Sequence, residues 1–158
     1  MTWYALCGPG ELPGRMRNVF ELGDFYDYCK KNAVDVIPYS GAPKPGATIR
    51  DGGYYAIFLD FSQIHSLRLL RGICAHEVGH VATGALHKVC SPYETWERSE
   101  YRANRYMAQH FLKAEDFKEA FLAGYTEAWQ LAEYFDLPEE DVKKALFYWT
   151  ERQGVRFN

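Results

Sequence analysis

The chain has 158 residues, a net charge of −3, and 47% apolar and 16% aromatic side chains. That is enough for one folded domain with a substantial core. Without a basic excess to neutralise phosphates, no nucleic-acid partner is expected, and no apolar run approaches the ~20 residues that span a bilayer, so no membrane partner is expected.

Residues 1–19 carry Gly8-Pro9-Gly10 and Pro13-Gly14 and are expected to be irregular. They show neither the basic lead nor the apolar run of a signal peptide. Cys7, Cys29, Cys74 and Cys90 lack CxxC spacing, so free thiols in a reducing cytoplasm are expected. A helix is predicted over residues 21–31, a short strand over 34–39 and a Pro/Gly loop over 40–46. A hairpin follows, in which residues 47–50 lead through Asp51-Gly52-Gly53 into the alternating strand Tyr54–Asp60.

A long helix is predicted over residues 65–83, with Gly84 where a helix-ending glycine belongs. Residues 85–95 form a loop containing Pro92. A helix over 96–112 and shorter helices over 114–123, 126–135 and 138–152 complete the chain, with Pro138 as a first helical residue. A small sheet followed by helices defines an α+β fold. The expected layout is one domain over 1–158, with residues 20–112 as its core and 113–158 as a helical subregion.

The long helix contains His76-Glu77-Val78-Gly79-His80. Four-residue spacing puts both imidazoles on one face, one turn apart, where they can grip one zinc ion. Leu67, Leu70, Cys74, Val78 and Val81 form a separate apolar stripe, so Cys74 points away from the histidines and is not expected to bind metal. Glu77 is offset by one residue. It should flank the metal and take a proton from a water activated there. Gly72 and Gly79 would let another segment approach closely.

Three residues compete as third ligand. His87 comes one place too late for the extended HExxHxxGxxH pattern, as does Gly84. On the next helix, Glu100, Ala103, Asn104, Met107, Ala108 and Phe111 share one face. A carboxylate on such a stripe is costly unless paired or metal-bound, which favours Glu100. Asn104, one turn on, could hydrogen-bond the second nitrogen of a ligand histidine. Glu97 lies near the same face and ranks below Glu100.

The pentad with Glu100-Tyr-Arg-Ala103-Asn104 and the tail Gln130-Leu-Ala-Glu-Tyr-Phe-Asp-Leu-Pro-Glu-Glu-Asp-Val-Lys-Lys-Ala-Leu resembles the ImmA/IrrE family of metallo-endopeptidases over about residues 20–150. The segment Phe111-Leu-Lys-Ala114 departs from the family's usual Leu-Leu-Met-Pro. The resemblance implies a zincin-type helix carrying His76, Glu77 and His80, with Glu100 as third ligand. It also implies zinc-dependent peptide hydrolysis, with a transcriptional repressor of a phage or other mobile element as substrate. The competing expectation is a catalytically silent zinc-binding module that binds a regulator without cutting it. Binding alone does not require Glu77.

No motif selects the group that would stabilise the oxyanion; His65, His87, His110 and several tyrosines are available. The Tyr54–Asp60 strand is expected either in the core or at a sheet edge beside the site, where a peptide could add as a strand. Apolar stripes at Ala128, Leu131, Ala132 and Phe135, and at Val142, Ala145, Leu146 and Trp149, predict helices that complete the core or pack over the site. Glu139, Glu140 and Asp141 open the second of these and disfavour DNA.

Overall fold

The computed structural model describes residues 20–86 and 93–157. The expectations for residues 1–19, His87 and Cys90 lie outside them. The elements are α1 (Leu22–Lys31), β1 (Val34–Pro38), β2 (Gly46–Asp51), β3 (Tyr54–Leu59), α2 (Leu67–Thr83), α3 (Tyr93–Phe111), α4 (Ala114–Leu122), α5 (Ala128–Phe135) and α6 (Glu139–Phe147). A π-helical turn, Tyr148–Arg152, continues α6. The fold is α+β, a small sheet followed by helices.

Local chemistry explains most boundaries. The Glu21 N–H donates to Asp24 Oδ2 at 3.0 Å, starting α1, and Lys30 and Lys31 face its negative end. Ser66 Oγ accepts from the Leu69 N–H at 3.1 Å, starting α2, and Gly84 ends that helix with φ 59°. The hairpin turns at Gly52 and Gly53, both at positive φ. Pro138, expected as the first helical residue, instead caps α6 with an extended ψ of 139°, and the helix begins one place later at Glu139.

The sheet has strand order β1-β3-β2 among the described residues, with β1 parallel and β2 antiparallel to β3. The edge placement considered for Tyr54–Asp60 is therefore overturned: β3 is the central strand. Its inward residues Ile57 and Leu59 are fully buried, which needs a neighbour on each side. Polar β2, with Thr48, Arg50 and Asp51, becomes exposed along its length and forms the edge.

The sheet's inner face packs on α1 and α2 through Phe25, Cys29, Ile57, Leu59, Cys74 and Val78. The same core continues through Met107, Leu112, Phe117, Leu131, Leu137 and Val142. Of the expected α2 stripe, Cys74, Val78 and Val81 are buried, but Leu67, the first residue of the helix, is 62% exposed. The tail stripes complete the core, and Trp149 Nε1 donates to the Leu112 carbonyl at 2.7 Å.

Gly72 and Gly79 admit two different segments. A Cβ on Gly72 would meet Asp141 and Pro138 at the start of α6, at 2.5 and 2.6 Å. One on Gly79 would meet the Ala103 carbonyl oxygen of α3 at 2.6 Å. Cys29 and Cys74 are free and buried, and burial pushes their thiols up to about 11 and about 12. Among the described residues no helix is long and apolar enough to cross a membrane.

Candidate metal centre

His76 and His80 project from one face of α2, with ring centroids 4.7 Å apart and Nε2 atoms 3.1 Å apart. Glu100 comes from the facing turn of α3. Its Oε2 lies 3.1 Å from His76 Nε2 and its Oε1 lies 3.4 Å from His80 Nε2. One ligand atom from each residue lies within 4.8 Å of the others, close enough to hold a metal ion. The glycine at position 79 allows α3 to come this near.

Each imidazole is fixed through its other nitrogen. His76 Nδ1 lies 3.1 Å from Asn104 Oδ1, and His80 Nδ1 lies 2.6 Å from the Ala85 carbonyl oxygen. A carbonyl can only accept, so His80 Nδ1 carries the hydrogen; the Asn104 oxygen sets the same tautomer for His76. Both neutral rings then turn an Nε2 lone pair towards a carboxylate. Three acceptors converging on one point repel unless a cation stands between them, so the donor set fits a divalent metal.

In the metal-free chain the same surroundings favour a proton at His80. Burial alone would lower the His80 pKa, but its hydrogen bond to Glu100, the Glu77 charge and the Ala85 carbonyl raise it above the ordinary value. Burial would likewise raise Glu100, but hydrogen bonds from His76 and His80 hold it far below the usual carboxylate range. The cluster is poised to exchange a proton for a metal.

Glu77 stands apart from the three converging groups, as its one-residue offset predicts. It is 5% exposed, and Thr48 Oγ1 on β2 donates to its Oε2 at 2.6 Å. Gly46 on the same strand lies against the other side of this carboxylate: a Cβ there would meet Glu77 Oε1 at 3.0 Å and Ile73 Cγ2 at 2.5 Å. Sequence reasoning missed both β2 residues. The available signal was a glycine and a threonine two apart in a strand, on one face.

The other candidates fall away from the cluster. Glu97 is exposed on α3, outside the group of converging ligand atoms. His65 is exposed, and His110 stacks on Tyr106 with centroids 3.8 Å apart. Cys74 is packed in the core, as expected.

The arrangement defines an α+β chain with a two-histidine, one-carboxylate candidate metal centre and a separate carboxylate held beside it. Comparison with family models, with curated proteins and with solved structures finds no match.

Proposed function

We propose that this chain is a zinc-dependent endopeptidase of the ImmA/IrrE type, with a repressor-type regulator as its substrate. The observation that carries the reading is the division of labour on α2: His76 and His80 turn towards Glu100, while Glu77 is kept out of that group and held by β2. His76, His80 and Glu100 would hold zinc, which supplies Lewis acidity to a water and to a scissile carbonyl.

Glu77 then has the work of a general base. It accepts a proton from the attacking water and returns it to the leaving amine as the C–N bond breaks. Thr48 is its one protein hydrogen-bond donor among the described residues and takes Oε2, so that Oε1 would receive that proton. A silent binding module has no use for a carboxylate buried and aimed in this way, at the cost of desolvation.

The substrate path follows from β2. The Asp60 N–H donates to the Pro45 carbonyl at 2.9 Å. Antiparallel alternation from that pair directs the main-chain groups of Ala47 and Ile49 to β3, and those of Gly46, Thr48 and Arg50 outwards. A peptide added along that edge would be held by its main chain beside Glu77.

The test compares the wild type with Glu77→Gln, measuring zinc content and cleavage of candidate repressors. Zinc retained with cleavage abolished is the expected result. Equal cleavage by both proteins would discard Glu77 as the base, and loss of zinc in Glu97→Ala but not in Glu100→Ala would move the third ligand.

A further inference from the structure

We propose that Thr48 is a positioning residue for Glu77: its hydroxyl, carried on the edge strand, sets the direction of the carboxylate beside the metal centre. The inference rests on the reading of Glu77 as the base and adds the group that aims it.

A glutamate on a helix has three side-chain torsions, and holding one rotamer costs conformational entropy. A short hydrogen bond to one carboxylate oxygen selects one direction. Thr48 Oγ1 lies 2.6 Å from Glu77 Oε2 and 3.4 Å from the Glu77 carbonyl oxygen. The hydroxyl has a single proton, so the nearer, charged acceptor takes it. Threonine suits the task because branching at Cβ restricts χ1, so the hydroxyl is itself aimed.

The opposite side of the carboxylate is closed by backbone. Gly46 is two residues before Thr48 on the same face of β2 and comes so close that a Cβ would strike Ile73 and crowd Glu77. Glu77 therefore sits in a slot with the Thr48 hydroxyl on Oε2 and the Gly46 Cα near Oε1. Both walls belong to one strand, so a displacement of β2 moves the base. That strand also offers the outward main-chain groups on which a peptide would be held, so docking and aiming meet in Thr48.

The proposal is tested by binding acetohydroxamic acid to the zinc-loaded full chain, measured calorimetrically. This chelator takes the open side of a zinc site and gives a proton to a carboxylate next to it, so its affinity reads where Glu77 points without requiring catalysis. Glu77→Gln is expected to weaken it about tenfold or more, through loss of a charge-assisted hydrogen bond. Thr48→Val keeps the shape and deletes the hydroxyl; it should weaken binding several-fold while zinc affinity stays at the wild-type value. Thr48→Ser should restore binding.

Should Thr48→Val be poorly folded, Thr48→Ala takes its place. A Thr48→Val protein that binds like the wild type while Glu77→Gln does not would overturn the role of Thr48 alone. So would a Thr48→Ser protein as weak as Thr48→Val, because size rather than the hydroxyl would then matter. If Glu77→Gln binds like the wild type, or the wild type does not bind at all, the reading of Glu77 as the base falls, and the role of Thr48 with it.

Discussion

Substituting Gly79 with alanine should loosen the metal centre without touching any ligand. The added Cβ would lie 2.6 Å from the Ala103 carbonyl oxygen, 3.0 Å from its Cα and 3.1 Å from its carbonyl carbon, where ordinary contact begins at 3.4 Å. The obstacle is backbone and cannot rotate away. Relieving the closest contact along its own line moves α3 back by 3.4 − 2.6 = 0.8 Å. Metal–ligand distances tolerate only about 0.2 Å, so the helix bearing Glu100 cannot both retreat and keep its place opposite His76 and His80. Overpacking of this kind costs about 1–3 kcal/mol. The metal-free chain can shed part of that strain by separating the helices, but the metal-bound chain must restore it. Zinc affinity should therefore fall by up to about 5- to 150-fold, the equivalent of 1–3 kcal/mol. Melting without metal should drop by roughly 2–4 °C for each kcal/mol not relieved. Chelator competition gives the first quantity and thermal unfolding the second. Gly23→Ala is the control: no atom lies within 4 Å of its new Cβ, so it should leave zinc affinity alone and stabilise α1 by about 0.4–1 kcal/mol. A Gly79→Ala protein with wild-type melting and wild-type zinc affinity would refute the close approach of α2 and α3.

Three further outcomes are expected. Asn104→Ala frees the His76 ring from its 3.1 Å partner and should weaken zinc binding about 10- to 100-fold; chelator competition checks this, and Asn104→Asp, which keeps an acceptor, should lose less. In the metal-free chain the raised His80 pKa gives a stabilisation that is complete below 6.5 and lost as pH rises through the folded value, while the lowered Glu100 pKa gives one that is complete above 4.5 and lost on acidification. Thermal unfolding with a chelator present should therefore peak between those values, and zinc should remove the alkaline decline. Asp60 accepts from the N–H groups of Gly41, Ala42 and Ser62, from the Ser62 hydroxyl and from the Gln63 amide, and the bonds from the Ser62 and Gln63 side chains lead in holding its pKa down to about 2. Asp60→Asn should be the less stable protein at neutral pH, and the gap in urea unfolding should close as pH falls from 3.8 towards 2.

How much could be read in advance depended on how local each cause was. The His76–His80 pair needs only helical geometry, and the Glu100–Asn104 pair needs only a stripe on the following helix, so the four residues were visible in sequence and the structure brings them together. Strand order is not local. A hairpin followed by a helix leaves open on which side an earlier strand will dock, so edge and core placements of β3 both stayed open until β1 docked parallel to it. For the same reason Thr48 escaped notice, since β2 faces Glu77 only once β3 has been enclosed on its other side. Leu67 fits the helical period of the buried stripe, but it opens the helix and stays exposed there.

The three polar side chains of the pentad are held by three different parts of the molecule. His76 is fixed by Asn104 on α3, Glu77 by Thr48 on β2, and His80 by the Ala85 carbonyl just beyond the end of α2, an oxygen that also accepts from the Ser99 hydroxyl of α3. None of these anchors can be supplied by α2 alone. An isolated α2 would keep the one-turn spacing of its histidines but lose both tautomer settings and the direction of Glu77. The geometry at the centre is thus a property of the packed sheet and helices: a chain whose α3 has come loose should lose its metal affinity, and one whose β2 has come loose the direction of Glu77, well before α2 itself unwinds.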